Sequence, residues 1–372
     1  MAGIYIHIPF CKRKCGYCDF YSCTRLELRG EVLAEILREL EAELGFIGDV
    51  PLRTIYFGGG TPTVYEPEQL QAVIAKVRKL WDCSGVEEIT VEANPDDLTP
   101  EYLRALAGTD ANRLSIGIQS FIDRDLRLMN RRHTAQTALG AVREAQEAGF
   151  RNITIDLIYG IPGMAAAEWQ SNIETAIGLG VQHISAYHLT IEEGTPFGRQ
   201  AAAGKLRPVD EPASEEQYLM LHGMLTAAGF EHYEISNFAR PGFRAAHNSA
   251  YWQGEPYLGV GPSAHSFNGS VRRSSASSVE AYLSARQDGY TSETLTPKDR
   301  YNEFVMISLR TSEGLDTDVM AQKFGPAGVA AFAASAARHV ASGLLVQSDG
   351  RYFIPAERFL VSDVVIADLF IG

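Results

Sequence analysis

Six β-rich runs alternate with longer runs of helical periodicity, and this order strongly limits the folds open to the chain. Strands are predicted at 4–7, 54–57, 88–92, 113–118, 153–158 and 184–189. Helices are predicted at 31–44, 66–81, from Thr99-Pro100 onward, and at 135–148, 167–179 and 215–228. Strand–helix alternation of this kind predicts a parallel sheet with right-handed crossovers.

An open doubly wound sheet and a partial barrel both satisfy this pattern, and the polar residues favour the barrel. The first strand leads into a cysteine-rich loop and the second into the glycine-rich run 58–62. The next three strands end at, or contain, Glu92, Gln119 and Asp156. Barrel proteins place their functional residues at the carboxyl ends of the strands. The sequence therefore predicts an α/β fold, a partial (β/α)6 barrel whose open side admits a large substrate.

Beyond about residue 230 the alternation stops, and the chain divides into three predicted parts. These are the barrel, a connecting region and a C-terminal domain, at 1–230, 231–295 and 296–372. The serine-rich stretch 271–296 is predicted to be a linker. Helical patterns at 302–309 and 327–342, with a hairpin signal at Ser348-Asp349-Gly350, predict a mainly helical, winged-helix-like C-terminal domain.

Charge and composition exclude several classes of function. The formal net charge of −13 argues against a nucleic-acid-binding surface. No apolar run approaches the roughly 18 residues that a membrane-spanning helix needs. Five cysteines, an odd number, fit a reducing compartment, and the first strand starts too early to leave room for a targeting peptide. We therefore expect a cytoplasmic protein.

Three cysteines, Cys11, Cys15 and Cys18, follow the first strand with the spacing C-x3-C-x2-C. Three thiolates on one tight loop can hold three irons of a [4Fe–4S] cluster, which usually takes four cysteines. The fourth iron is then open to a small ligand. Zinc is the alternative, but a structural zinc site needs four ligands, the fourth here being Cys23 or His7.

The cysteine loop resembles that of radical S-adenosylmethionine (SAM) proteins, in which the SAM amine and carboxylate chelate the open iron. Glycines after the second strand would let the backbone approach SAM closely, because glycine has no Cβ. Polar residues at or just beyond the strand ends, and tyrosines near the cysteines, would supply the other contacts. The predicted SAM-binding residues are Tyr5, Tyr17, Gly59, Gly60, Thr61, Glu92, Gln119, Arg131 and Asp156.

Four motifs occur together in this chain. They are Tyr-Ile-His-Ile-Pro-Phe-Cys at 5–11, Gly-Gly-Gly-Thr-Pro-Thr at 58–63, Gly-Ile-Gln-Ser-Phe at 117–121 and Asp-Leu-Ile-Tyr-Gly-Ile-Pro at 156–162. In this combination the chain resembles the oxygen-independent coproporphyrinogen III oxidase family of radical SAM proteins. The resemblance covers most of the chain and implies a cluster on the three cysteines, with SAM bound beside it.

The family has two main branches, the oxidase and the HemW-type haem chaperones. The oxidase, which removes two propionate carboxyls, has an additional cysteine where this chain has Phe20, and a segment before its first barrel strand. The run 247–252 matches the H-N-x-x-Y-W motif associated with the chaperones. We therefore expect a haem chaperone, with SAM-dependent oxidative decarboxylation of coproporphyrinogen as the alternative. No catalytic residue is assigned.

The same motif suggests how haem would be held. Histidine is a common axial ligand of haem iron, so His247 is the predicted ligand and His265 the second choice. Tyr251 and Trp252 would supply flat apolar surface for the macrocycle. The resemblance also implies recipient haemoproteins, among them respiratory membrane enzymes, peripheral membrane contact and a homodimer.

Overall fold

The structure is a computed structural model that describes residues 1–285 and 289–372. Its strands are β1 (Ala2–Ile8), β2 (Leu52–Gly59), β3 (Glu88–Ala93), β4 (Arg113–Gln119), β5 (Ile153–Tyr159), β6 (His183–His188), β7 (Glu231–Glu234), β8 (Asn237–Ala239), β9 (Tyr257–Val260), β10 (His265–Phe267), β11 (Val271–Ser274), β12 (Thr291–Thr294), β13 (Leu315–Asp316), β14 (Val346–Ser348) and β15 (Arg351–Phe353). Its helices are α1 (Arg29–Ala42), α2 (Pro67–Leu80), α3 (Pro100–Ala107), α4 (Asp123–Leu128), α5 (Ala135–Glu147), α6 (Ala166–Gly178), α7 (Pro196–Ala202), α8 (Glu211–Ala227), α9 (Ala246–Trp252), α10 (Val279–Ala285), α11 (Pro297–Leu309), α12 (Thr317–Ala341) and α13 (Ser362–Ala367).

Strands β1 to β6 lie side by side in chain order, and every neighbouring pair is parallel. Helices connect them as the alternation predicts, and Thr99 caps α3 by accepting a hydrogen bond from the Tyr102 amide. In the described part of the chain the edge strands β7 and β12 do not pair with each other, so the sheet stays open. The predicted partial barrel is confirmed.

The two faces of these strands differ in chemistry because successive side chains point to opposite sides. One face joins the buried apolar core, for example through Ile55, Phe57, Val91, Ile116, Ile155 and Ile184. The other face surrounds a polar interior and carries, among others, Tyr56, Glu92, Ser115, Asp156 and Tyr187. A closed eight-stranded barrel fills this space with branched apolar side chains. Here the interior remains available for polar groups and a ligand.

The predicted connecting region extends the sheet at both edges. Strands β7 and β8 form a hairpin that continues the sheet beyond β6, so the sheet crosses the predicted boundary at residue 230. On the other edge, β9 pairs in parallel with β1 and leads into the antiparallel strands β10, β11 and β12. Helix α9, which carries the H-N-x-x-Y-W motif, packs against β1 and β2. The three-part division of the chain stays a prediction.

The linker prediction for 271–296 is wrong wherever the structure describes that stretch; residues 286–288 lie outside the described part. Strands β11 and β12 pair with each other, and α10 lies between them in sequence. The buried Glu39 of α1 accepts hydrogen bonds from the hydroxyls of Tyr282, at 2.6 Å, and Tyr290. These long-range bonds order a segment whose serine content resembles that of a flexible linker.

The C-terminal part is mainly helical, as the sequence predicts. Helices α11, α12 and α13 accompany the small sheet β13–β15–β14. The hairpin between β14 and β15 turns at Asp349 and Gly350, whose φ angles of 49° and 74° suit the mirror-image turn favoured by tight hairpins. Helix α12 is broken at Gly325, where φ is 71°. No helix within the described residues is long and apolar enough to cross a membrane.

Candidate functional site

A cavity of about 540 Å³ lies at the carboxyl ends of the six parallel strands. Every strand contributes to its wall, either directly or through the loop that follows it. Most of the residues predicted as cluster and SAM ligands line this one cavity. They are Cys11, Cys15, Tyr17, Cys18, Gly59, Gly60, Thr61, Glu92, Gln119, Arg131 and Asp156.

Backbone hydrogen bonds hold the cysteine loop in place. The amide of Cys11 donates to the carbonyl of Cys23 at 2.9 Å, so Cys23 supports the loop through its main chain. Within the loop, the Gly16 amide donates to the Met129 carbonyl at 3.0 Å, and its carbonyl accepts from the Phe197 amide at 2.9 Å. A Cβ at Gly16 would lie 2.7 Å from the Phe197 ring. The loop therefore depends on glycine between two of the predicted ligands.

The three thiols are free to hold a cluster. All three are partly buried, and no disulfide links the five cysteines, each of which lies in the described part. Nowhere in that part do three or more Cys, His, Asp or Glu side chains come close enough to hold one metal ion. A [4Fe–4S] cluster offers a separate iron to each thiolate, so the cysteines fit it around a shared cavity.

The surroundings of the thiols bear on how a cluster would bind. Burial raises the pKa of Cys11, and it raises the pKa of Cys18 to about 11. Thr61 Oγ1 lies 3.5 Å from Cys11 Sγ, and Arg131 Nη1 lies 3.4 Å from Cys15 Sγ. Burial therefore favours the protonated thiols of Cys11 and Cys18, and metal binding would release their protons.

Contacts within the protein require glycine at the end of β2. Gly59 has a φ of 104°, and a Cβ there would lie 2.5 Å from His7 Cε1. A Cβ at Gly60 would lie 2.7 Å from the Phe10 carbonyl oxygen. These contacts require glycine at both positions, and both residues also line the cavity. The approach of their backbone to SAM stays a prediction.

Two carboxylates make one wall of the cavity acidic. Glu92 Oε1 accepts a hydrogen bond from the Tyr56 hydroxyl at 2.7 Å, and Oε2 accepts from the Gly59 amide at 3.2 Å. Burial, together with the charge of Asp156, raises the pKa of Glu92 to about 7, against the hydrogen bonds from Tyr56 and Gly59. Burial also raises the pKa of Asp156 to about 6, against hydrogen bonds from Ser185 and Ser115. A cationic ligand would favour the ionised form of both groups.

Arg131 and Gln119 lie where β4 departs from regular structure. The pairing register between β4 and β5 shifts between Gly117 and Gln119, and Gln119 has a φ of 72°, which is costly for a residue with a side chain. Arg131 donates to the Gly117 carbonyl and, at 2.6 Å, to Asn94 Oδ1. The irregular strand end thus directs its carbonyl and amide groups toward the cavity.

Tyr5 lies outside the cavity wall, deeper in the barrel. Its hydroxyl is 3.2 Å from His7 Nδ1, and its ring stacks on Tyr56 with centroids 6.0 Å apart. The sequence placed Tyr5 by its distance from the first cysteine along the chain. Tyr5 is in the middle of β1 and therefore lies deeper in the barrel than the end of that strand, which the distance along the chain does not show.

His247 also lies outside the cavity, at the opposite, amino-terminal end of the strands. It is 2% exposed, with Nδ1 2.7 Å from Thr54 Oγ1 and Nε2 2.9 Å from the Tyr251 hydroxyl. Burial lowers the pKa of His247 to about 3. Both ring nitrogens therefore have partners, whereas the second candidate, His265 on β10, is exposed.

Several cavity residues were missed by the sequence analysis. Asn94 follows the end of β3 and donates to Thr61 Oγ1 at 2.9 Å, and Tyr187 and His188 end β6. Ser115 lines the wall from within β4. The strand-end rule covers Tyr187 and His188, which end the one barrel strand for which no candidate was named, and Asn94, which directly follows β3.

Comparisons with known proteins agree with this geometry. The family model of the radical SAM superfamily matches residues 5–176, and that of the HemN C-terminal domain matches residues 295–357. A protein of Lactococcus lactis named heme chaperone HemW is 35% identical over 322 residues, which are 86% of this chain and 84% of that protein. This chain belongs to the HemW family of radical SAM proteins. A HemW of Mycobacterium tuberculosis is 33% identical over 99% of this chain and 94% of its own length.

Among solved structures, the HemW-family chain is similar to the coproporphyrinogen III oxidase HemN of Escherichia coli, described as a radical SAM enzyme. The TM-score is 0.85, with 22% identity, over 99% of this chain and 90% of that chain. At this level of identity the likeness shows a shared fold. The same barrel and C-terminal domain thus occur in the HemW family and in the oxidase.

Proposed function

We propose that this chain is a haem chaperone that binds a [4Fe–4S] cluster, SAM and haem, and delivers haem to recipient haemoproteins. The observation that carries the proposal is its identity of 33% to 35% with three proteins named heme chaperone HemW, over 86% to 99% of the chain. The cavity supports it, because the cysteine loop, the glycine turn and two carboxylates face the same space.

The charges of the cavity suit SAM. Its volume of about 540 Å³ is in the range of small-molecule sites. Glu92 and Asp156 offer negative charge to an ammonium and a sulfonium, and Arg131 offers positive charge to a carboxylate. When bound, the cluster supplies the electron for reductive cleavage of SAM. The residues of this chain hold the two ligands together and limit the access of water.

Which histidine coordinates the haem iron is also part of the proposal. Coordination by His247 requires that its bond to Thr54 or to Tyr251 break, whereas His265 is exposed. Single alanine variants of the two histidines form a matched pair, since each removes one imidazole. Loss of the haem absorbance shift in only one of them identifies the ligand.

The alternative is SAM-dependent oxidative decarboxylation of coproporphyrinogen. This is the reaction of the Escherichia coli oxidase, with which the chain shares its fold. Against it stands Phe20, which is 72% exposed at the cavity where the oxidase has its additional cysteine.

The proposal also covers the proteins that receive haem and the location of the chaperone in the cell. Respiratory membrane enzymes are the proposed recipients, reached by a cytoplasmic protein through peripheral membrane contact, and the chaperone is proposed to act as a homodimer. Transfer of bound haem to an apo-haemoprotein, followed by absorbance, tests delivery. Sedimentation with and without haem tests the dimer.

The deciding experiment is an anaerobic haem titration of the cluster-loaded protein. We expect saturable, stoichiometric binding, with a Soret band that changes in one histidine variant. A parallel assay with coproporphyrinogen and SAM is expected to give no decarboxylated product. Absence of stoichiometric haem binding, together with product in the second assay, would replace the chaperone function with the oxidase function.

A further inference from the structure

Helix α9 closes the amino-terminal end of the barrel, and its position is set by buried polar contacts. The amides of Ala246 and His247 donate to the carboxylate of Glu88, at 2.8 and 3.1 Å. A Cβ on Gly3 would lie 3.1 Å from His247 Cε1, so the ring occupies a space that β1 leaves free. The imidazole is therefore fixed by its backbone, by Thr54 and by the strand beside it.

The ring of His247 supports the ring of Tyr56. Their centroids are 4.8 Å apart and their planes differ by 22°, a stacked arrangement. Tyr5 stacks against both rings, and a Cβ on Gly58 would lie 2.8 Å from Tyr56 Cε1. Contacts with His247, Tyr5 and Gly58 therefore restrict the Tyr56 ring, whose hydroxyl bonds to Glu92.

The hydroxyl of Tyr56 in turn orients Glu92. It donates to Oε1 at 2.7 Å, and the Gly59 amide fixes the other oxygen at 3.2 Å. A second, small polar cavity of about 50 Å³ lies between α9 and the main cavity, and both Tyr56 and Glu92 line it. Since this space holds about one or two waters, it offers room into which an unsupported Tyr56 ring would move.

We propose that His247 is a positioning residue for the SAM-binding carboxylate Glu92, acting through Tyr56. Helix α9, which carries the H-N-x-x-Y-W motif, then supports the SAM site from the amino-terminal end of the barrel, whether or not haem binds to His247. This inference rests on the proposed SAM site. It goes beyond that site by assigning a role to His247 and Tyr56, which do not line the main cavity.

The test measures SAM binding by calorimetry to anaerobic, cluster-loaded protein, without haem and with the cluster held oxidised. His247→Ala removes the supporting ring, and Tyr56→Phe removes only the hydroxyl. We expect each to weaken SAM binding by about tenfold, the effect of losing one hydrogen bond to a charged group. Tyr56→Phe keeps the stacked rings, and it carries the test if His247→Ala does not fold.

His247→Phe separates positioning from iron ligation. A phenyl ring can stack on Tyr56 but cannot coordinate haem iron, so this variant is expected to recover most of the SAM affinity. Wild-type affinity in both His247→Ala and Tyr56→Phe would overturn the inference and leave the proposed function intact. So would a His247→Phe protein that binds SAM as weakly as His247→Ala. A wild-type protein that binds no SAM would overturn both.

Discussion

Arg131 Nη1 lies 3.4 Å from Cys15 Sγ, although 116 residues separate the two along the chain. The other guanidinium nitrogen donates to Asn94 Oδ1 at 2.6 Å and to the Gly117 carbonyl. One side chain therefore joins the cysteine loop to the ends of β3 and β4.

Arg131→Ala is expected to reduce both the cluster content and the SAM affinity, the latter by about tenfold or more. The variant loses the donor to Cys15 and leaves Asn94 without its partner. Iron and sulfide analysis after anaerobic reconstitution, followed by SAM titration, measures both effects. Arg131→Lys keeps the charge but not the fork of donors, and should be intermediate. An alanine variant with wild-type iron content would contradict a role at the cluster.

Serine variants of Cys11, Cys15 and Cys18 are each expected to lose most of the bound iron, because three thiolates already leave one iron open. Serine variants of Cys23 and Cys83 are the matched controls. Cys23 supports the loop through its backbone, which the substitution preserves, so both controls should retain the cluster. Iron loss in the Cys23→Ser protein equal to that of the others would show a fourth ligand.

SAM affinity is expected to fall as the pH falls through about 7. Burial raises the pKa of Glu92 to about that value, and a cation binds to the ionised carboxylate. Protonation at lower pH removes the negative charge, so binding weakens by up to about tenfold per pH unit below the pKa. Calorimetric titrations at a series of pH values measure this profile.

Two variants check the assignment of that profile. Glu92→Gln should bind weakly with a flattened pH dependence. Asp156→Asn removes a charge that raises the pKa of Glu92, so its inflection should move to lower pH. An unchanged inflection in the Glu92→Gln protein would assign the titration to another group.

Gly59→Ala is expected to destabilise the apoprotein by about 3 kcal/mol or more, since a Cβ would add both strain and a clash. The φ of 104° and the 2.5 Å approach to His7 are the causes. Gly140→Ala in α5 is the control, because a Cβ there meets nothing within 4 Å. It should stabilise the helix by about 0.5–1 kcal/mol. Urea unfolding measures both, and equal stability of the two variants would contradict the explanation.

Much of the candidate site was predictable because parallel strands bring their carboxyl ends to one edge of a sheet. Residues as distant as Glu92 and Asp156 were recognised by their positions at strand ends, and both line the cavity. The rule was not applied to the end of β6, where no motif drew attention, so Tyr187 was missed. Tyr5 was assigned instead by its distance from the first cysteine, and it lies outside the cavity wall because distance along the chain does not measure depth along the barrel.

By itself the sequence determined the order of strands and helices through hydrophobic periodicity, the partial barrel through the polar residues at the strand ends, and the cysteine loop through the spacing of its three cysteines. These features arise from local spacing, which the chain records residue by residue. Only the tertiary structure decided that α9 closes the barrel, that His247 bonds to Thr54 193 residues away, and that the serine-rich stretch adds β11 and β12 to the sheet. Those outcomes depend on which distant parts of the chain form hydrogen bonds with the polar groups of a short segment. No local sequence pattern determines those partners.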